Sequence, residues 1–395
     1  MSELEKVRAD VYNCVRCMVC SAKYNWEQHV LRVCPLWEHS AGFWSNLPAG
    51  RNQLALEILE GNLDVSELPV EAIYECLLCA NCRQQCGALD LATGKPFIDQ
   101  PAITKALRAE LFAAGLAPEG ARMFGDNVEK THNVLGGPVK GRTSWLTPDI
   151  KVATDADTVF FPGCLAAYRS PEIAQATAKI LNKAGIKFSI LGEEEWCCGN
   201  PLIMTGQLRL AKKVAKHNVE QLKGKKVITS CAGCARCFMQ EYPELLGEGH
   251  ELNVVHIVEL LPELIESGKI KFKAHKGKKE IVTYHDPCEL GRYRGIYDQP
   301  RKVIQSIPGI ELVEMVRNRE KTWCCGGGGG LKAANYALSL EIGKDKIPEA
   351  LATGAKRIIS ACPSCKASIN DTIRAMGKEA EIKAIDITEL VAEES

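Results

Sequence analysis

The sequence predicts an α+β multidomain protein: a mostly helical N-terminal domain, followed by two duplicated α/β cysteine-rich lobes related by pseudo-twofold symmetry. Three observations carry this. Trp196-Cys197-Cys198-Gly199 recurs as Trp323-Cys324-Cys325-Gly326, the second copy running on through glycine to Gly330. The cysteines around each copy repeat too, offset by 124 (Cys164 to Cys288), 127 (Cys197 to Cys324) and 131 (Cys231 to Cys362). Before residue 100, in contrast, cysteines come in evenly spaced triplets without any strand-to-helix alternation.

At 395 residues the chain can build two or three sizeable cores. Hydrophobic residues at 46% and charged residues at 25% are ordinary for a globular protein. Lys+Arg and Asp+Glu are both 49, so bulk charge gives no reason to expect nucleic acid or an anionic membrane surface as partner. The start, Met-Ser-Glu-Leu-Glu-Lys, lacks the apolar core of a signal peptide. No apolar run approaches the ~20 residues that span a bilayer. The longest candidate, 254–265, is interrupted by His256, Glu259 and Pro262. The expected location is the cytoplasm, with any membrane association supplied through a partner. The outlier is cysteine, at 19 residues. In a leaderless chain of this size, an odd and high count points to metal or redox chemistry rather than a disulfide framework.

Residues 1–100 hold Cys14, Cys17 and Cys20, then Cys34, and Cys76, Cys79 and Cys82, then Cys86. Three cysteines at three-residue steps wrap a turn around one cubane cluster, and in two-cluster ferredoxins the fourth cysteine crosses to the other cluster. The spacing therefore predicts a ferredoxin-type domain with one [4Fe–4S] cluster on Cys14, Cys17, Cys20 and Cys86. The other is expected on Cys34, Cys76, Cys79 and Cys82. Two departures stand out. A long insertion separates Cys20 from Cys34, with Tyr24 and Trp26 read as packing residues, and Cys86 is followed by Gly87 where a proline is common. Zinc fits poorly, because structural zinc takes four ligands in widely spaced pairs, not triplets. Apolar spacing predicts a helix at 52–60. A second at 101–114 has Pro101 at its start and Gly115 beyond its end. Residues 101–153 read as a helical connecting segment.

Lobe one is expected over 154–275. Its order is a β-type run at 158–161 leading to Cys164, a helix at 172–182, a β-like stretch at 188–191, the Cys197-Cys198 pair, a helix at 207–222, and a strand from 226 that delivers Cys231 and Cys234. Lobe two, over 276–395, repeats it: a strand from 281 leading to Cys288, a helix at 300–306, a β-like stretch at 311–315, the Cys324-Cys325 pair, a helix at 333–349, and a strand from 357 before Cys362 and Cys365. Ligands gather at the carboxyl ends of strands in open α/β sheets, and the cysteines sit there. Each lobe thus offers five cysteines, more than a cubane or a zinc ion takes.

The pattern of a single cysteine, Cys-Cys-Gly and Cys-x2-Cys resembles the cysteine-rich domain family. That family includes catalytic subunits of heterodisulfide reductases and iron–sulfur subunits of glycolate, lactate and anaerobic glycerol-3-phosphate oxidation systems. An N-terminal two-cluster ferredoxin fused to two such domains resembles the heterodisulfide reductases over nearly the whole chain. The resemblance implies that each five-cysteine set holds a noncubane [4Fe–4S] cluster, and that a disulfide is cleaved between the two, its sulfurs captured by iron. It makes Cys164, Cys197, Cys198, Cys231 and Cys234 one ligand set, and Cys288, Cys324, Cys325, Cys362 and Cys365 the other. Cys237 is left over, either an alternative ligand or a buried free thiol.

Other residues are candidates from position alone. His285 and Asp286 precede Cys288 and could supply a proton to a departing thiolate, or could serve only as a turn cap and a backbone hydrogen bond. Arg169, Arg292, Arg294 and Lys366 lie near cluster cysteines and could hold an anionic substrate or offset cluster charge, or could be solvated surface. The run from Gly326 to Gly330 is no phosphate loop, because no Gly-Lys-Ser/Thr follows. Its open backbone is where a substrate would come closest to iron. Without a flavin or nicotinamide motif, electrons are expected from flavoprotein or iron–sulfur subunits of a larger complex. The expected function is an iron–sulfur oxidoreductase subunit that reduces a disulfide. The alternative is an electron relay without its own substrate in a flavin-dependent dehydrogenase, electron-bifurcating or aromatic acyl-CoA reductase complex.

Overall fold

The protein is described from a computed structural model covering residues 2–25, 30–94, 96–275 and 277–395. Trp26 and the side chain of Tyr24 lie outside that description. The insertion after Cys20 forms an antiparallel pair, β1 (Ala22–Asn25) and β2 (Val30–Arg32). The rest of the N-terminal part is helical. Pro48–Leu59 carries its proline in the first turn, where the missing N–H costs nothing. Gln100–Ala113 starts at Asp99, whose carboxylate accepts from Ala102 N at 3.0 Å. Leu4, Val11, Ile73, Ile103 and Leu107 close a core between these helices.

Two parallel sheets follow. The first has order β3 (Thr158–Phe160), β4 (Lys226–Thr229), β5 (Asn253–His256). The second has order β7 (Ile310–Leu312), β6 (Glu280–His285), β8 (Arg357–Ser360), β9 (Lys383–Asp386). Residues 188–191 contribute only an isolated bridge, Val159 to Ser189. The expected helix at 333–349 is broken into Leu331–Ala334, Tyr336–Lys344 and Lys346–Ala352. Asn335 makes the first break. It leaves helical geometry, and its side chain accepts from Leu338 N at 3.0 Å to start the next helix. Periodicity missed β5 and β9, each followed directly by a helix with a capping box. His256 and Glu259 open Ile257–Glu266, and Asp386 and Glu389 open Ile387–Glu394.

Those two helices hold the lobes together. Ile387–Glu394, from the second lobe, packs on Pro171–Lys183 of the first, while Ile257–Glu266 of the first packs on Asp298–Gln305 of the second. Each lobe thus lends its last helix to the other. Ile173, Leu181, Leu261, Ile304 and Leu390 belong to one continuous core. At about 1.5–3 kcal/mol per buried aliphatic side chain, this exchange fixes the gap between the lobes.

Arg108 ties the N-terminal part to both. It is fully buried and donates to the carbonyls of Ile73, Tyr74 (3.0 Å) and Cys76 (2.6 Å). Its Nη1 reaches Met204 O at 2.8 Å in the first lobe and Gly329 O at 2.7 Å in the second. No helix among the described residues is long and apolar enough to cross a membrane.

The buried cap Asp386 has a measurable consequence. Its Oδ1 accepts from Thr388 N at 2.9 Å, while Oδ2 has no partner. Burial pushes the carboxyl up to about 8 from an ordinary 3.8. The folded form then keeps a proton that the unfolded chain has released, so this stabilising contribution is full below the ordinary value and lost as pH rises through about 8. Asp386→Asn is expected to flatten the fall in stability over that window by up to about 1.4 kcal/mol per pH unit, read as urea midpoint against pH. An unchanged slope would show that Asp386 is ionised in the fold.

Candidate functional site

The cysteine triplets are shaped by unusual backbone. Arg16 (φ 55°) and Met18 (φ 66°) flank Cys17, and Leu78 (φ 50°) and Ala80 (φ 58°) flank Cys79. Left-handed geometry at a residue with a Cβ costs of order 1–3 kcal/mol and concentrates at functional positions. Here it turns each middle cysteine toward its neighbours. Cys20 lies within electrostatic reach of Cys14, Cys86 and Cys17. Cys34 lies near Cys76 and Cys79, and Cys82 near Cys79, Cys76 and Cys34, then Cys20. The structure therefore brings together an outer group (Cys14, Cys17, Cys20, Cys86) and an inner group (Cys34, Cys76, Cys79, Cys82). Cys17 is exposed and Cys86 partly so; the inner group is buried. Burial drives the Cys34 thiol up to about 12 and Cys82 far up, with Cys79 and Cys76 adding to the latter. The hydrogen bond with Cys324 instead draws Cys79 down to about 6. A buried group of four convergent thiols is a donor set that fits an iron–sulfur core.

In the lobes, Cys164, Cys231, Cys288 and Cys362 follow the ends of β3, β4, β6 and β8. The backbone around them is kept clear for sulfur. Gly163 (φ +76°) precedes Cys164, and a Cβ there would lie 2.9 Å from Cys234 Sγ. Gly199 and Gly326 follow the two pairs at φ +86° and +85°. All ten cysteines line one cavity of about 430 Å³ between the lobes. Within the lobes, Cys164 meets Cys197, Cys198 meets Cys234, and Cys325 Sγ lies 3.5 Å from Cys365 Sγ. Two contacts join groups: Cys231 hydrogen-bonds with Cys362 across the lobes, and Cys79 of the inner group with Cys324. None of the 19 cysteines forms a disulfide.

The glycine run does two things. Gly327 to Gly330 line the cavity. Yet a Cβ on Gly328 would meet Leu77 O at 2.5 Å, and one on Gly329 would meet Cys76 O at 2.2 Å. Those two positions are bare because the backbone of the inner group packs against them. The tryptophans of the repeated motif pack structurally: Trp196 stacks between His132 and His217, and Trp323 donates to Ile342 O at 3.2 Å under Arg317.

His285 is buried against Cys325, with which it interacts by a side-chain hydrogen bond, and it shares a 4.8 Å cluster with the Cys325 and Cys365 sulfurs. Burial, then Lys346, holds it below its ordinary range, so the ring is neutral. Asp286 is locked differently. Arg301 grips both carboxylate oxygens at 2.7 and 3.0 Å, and Arg319 N donates at 2.8 Å. Arg292 lines the cavity but spends its donors on carbonyls of Cys79 (2.9 Å), Glu320 and Thr322. Arg294 pairs with Glu259, and Lys366 with Glu172 and Glu389. Arg169 lines the cavity and shares Asp371 with Lys332. Cys237 donates to Cys198 O at 3.1 Å and is fully buried.

Three groups escaped sequence reasoning. Arg142 Nη1 lies 3.4 Å from Cys164 Sγ and 3.4 Å from Glu195, whose carboxyl burial raises to about 8. Lys346 is buried without a hydrogen-bond partner near Cys325. Glu289 faces the cavity beside Arg236. Only Lys346 left a signal, as a charge beside the apolar Ile347.

Residues 10–88 match the 4Fe-4S dicluster domain, and 158–240 and 282–370 each match the cysteine-rich domain. Dicluster segment, paired cysteine-rich domains and shared thiol-lined cavity define the class: an iron–sulfur oxidoreductase. Within that class the chain belongs to the heterodisulfide reductase family, among its D-type iron–sulfur subunits. It is 41% identical, over 81% of its length and 77% of the relative's, to the D-type component of dihydromethanophenazine:CoB–CoM heterodisulfide reductase from Methanosarcina barkeri. It is 32% identical to the B-type component of fumarate reductase (CoM/CoB) from Methanothermobacter marburgensis, over 81% of this chain and 61% of that one. Against EtfAB:quinone oxidoreductase of Syntrophomonas wolfei identity is 29%, over 81% of this chain and 46% of that one.

The hydrogen bond of Cys237 to a backbone carbonyl predicts that Cys237→Ser keeps the iron content of anaerobically purified protein, whereas Cys234→Ser lowers it. Equal iron loss in both variants would make Cys237 a ligand.

Proposed function

We propose that this chain takes single electrons from a partner through two cubane [4Fe–4S] sites and uses them, at two noncubane [4Fe–4S] sites, to reduce a disulfide. The outer and inner cysteine groups would hold the cubanes. Cys164, Cys197, Cys198, Cys231 and Cys234 would hold one noncubane cluster, and Cys288, Cys324, Cys325, Cys362 and Cys365 the other, the lobes acting as a pseudo-twofold pair. When bound, these groups supply one-electron storage and iron atoms that can capture a thiolate sulfur. The observation that carries the reading is that ten thiols from both lobes face one cavity.

The residues give the route a direction. Cys20 lies near Cys82, Cys79 meets Cys324, and Cys362 meets Cys231. Electrons entering at the exposed outer group would reach lobe two before lobe one. Overall, one disulfide, two electrons and two protons give two thiols. Neutral His285 carries a ring proton beside the lobe-two thiols and is the proposed donor to one departing sulfur. Asp286, held by Arg301, would orient the strand end rather than move a proton. Arg169 and Lys332 line the cavity and share the one carboxylate of Asp371 behind them, which favours an anionic substrate. The donor would be a flavoprotein or iron–sulfur subunit, and the chain would work in the cytoplasm, reaching a membrane only through such a partner. Two of the relatives named above are themselves subunits of oxidoreductases.

Mixing reduced protein with an asymmetric disulfide under an artificial electron donor should release both thiols. His285→Gln should slow that release by about a hundredfold with iron and sulfide unchanged. No release from protein whose unusual clusters are intact by EPR would leave a pure electron relay, as in the alternative reading.

A further inference from the structure

Three buried guanidinium groups surround the inner group of cysteines, and none has a carboxylate partner among the described residues. Arg51 is 1% exposed, Arg108 0% and Arg292 6%. Arg51 donates through Nη1 to Asn46 O at 2.6 Å, and its Nε has no partner. Its surroundings are Cys76, Cys34 and Cys82 of the inner group and Cys20 of the outer. Glu75 is the carboxyl that senses it, but that group is bound by Asn46 Nδ2 at 2.7 Å. Arg108 lays a hydrogen bond on Cys76 O at 2.6 Å, and Arg292 one on Cys79 O at 2.9 Å.

A lone buried cation is strongly unfavourable unless negative charge lies beside it. The three guanidinium groups face main-chain carbonyls and cysteines rather than carboxylates. Thiolates on a cluster would balance these charges, and a reduced cluster would do so further. The outer group differs. Cys17 opens it to solvent, and among the described residues it has one guanidinium without a carboxylate, half-buried Arg16, which donates to Cys14 O at 2.7 Å and leaves Nε and Nη2 unpartnered. Arg83, between the groups, is neutralised by Asp99 at 2.7 Å. Solvent screens what charge remains.

We propose that Arg51, Arg108 and Arg292 form an electropositive collar that gives the inner site a higher reduction potential than the outer one. The collar rests on the cubane reading above. Its effect is directional: an electron delivered to the outer group moves inward, oxidising the outer site by one electron and reducing the inner by one, and is retained beside Cys324. No bond is made or broken. The arginines are tuning residues, their donors spent on main-chain carbonyls.

An EPR-monitored redox titration with dithionite tests this, on protein first assayed for iron and acid-labile sulfide. Cys17→Ser assigns the outer signal. In the wild type the inner signal should be reduced first. Arg51→Gln should lower the reduced-to-oxidised ratio of the inner site about tenfold at fixed potential, equivalent to about 59 mV for one electron, with a smaller change at the outer site. Arg51→Lys should restore it. If Arg51→Gln does not load, Arg292→Gln, which removes the donor to Cys79 O, carries the same expectation. An outer site reduced before the inner one overturns the collar, as does an iron-replete variant without a shift, or a Lys variant shifted as far as Gln. Wild-type protein without cubane clusters would instead strike the reading on which the collar rests.

Discussion

The guanidinium of Arg108 meets five main-chain carbonyls drawn from three parts of the chain, and the relative placement of every cysteine group depends on it. Ile73, Tyr74 and Cys76 belong to the N-terminal part, Met204 to the first lobe and Gly329 to the second. A planar fork of donors can hold such a set in fixed directions, which an ammonium cannot. The same contact explains the bare backbone of Gly328 and Gly329. The segment at Cys76 and Leu77 is pulled so close to them that a Cβ would collide. Close approach here brings Cys79 of the inner group to Cys324 of the second lobe.

A second constraint sets the cavity. Because each lobe lends its final helix to the other, the lobes share a core and cannot separate without exposing it. The gap they enclose is therefore a fixed space lined by ten thiols, not a hinge. Cofactor sites built on strand ends gain rigidity from the sheets behind them. The two sides of the space are chemically unlike. His285 and the unpartnered Lys346 stand behind the Cys325 side, whereas Phe161 occupies the position matching His285 on the other, and Arg142 reaches Cys164 there.

Much of the cysteine arrangement was legible in the sequence because cluster ligands are spaced locally. A triplet at three-residue steps and an adjacent pair before glycine mark themselves in a few residues. The parallel sheets were legible as strand, cysteine and helix in repeated order. What the sequence hid has a common physical cause. Arg51 and Arg108 bond to carbonyl oxygens, and every residue has one, so no pattern marks the partner; Arg292 was marked by its place near Cys288, but its carbonyl partners were not. The exchange of terminal helices joins Ile387–Glu394 to Pro171–Lys183, more than two hundred residues away, and Ile257–Glu266 to Asp298–Gln305 across a lobe boundary. Strands β5 and β9 are short and run straight into helices, so their apolar residues blend with the helical stripe. The expectation that the glycine run is open for substrate was incomplete for the same reason: its neighbour, the backbone of Cys76 and Leu77, is distant in sequence.

The central claim is that both five-cysteine sets act on one substrate in one space. The direct measurement is single-turnover thiol release from reduced Cys198→Ser and Cys325→Ser proteins, each assayed for iron and sulfide. Each variant should lose one unusual cluster, keep both cubanes, and fail to release thiol from an asymmetric disulfide. Full release from either one, with its altered lobe empty of iron, would show that a single lobe suffices and would contradict the shared site.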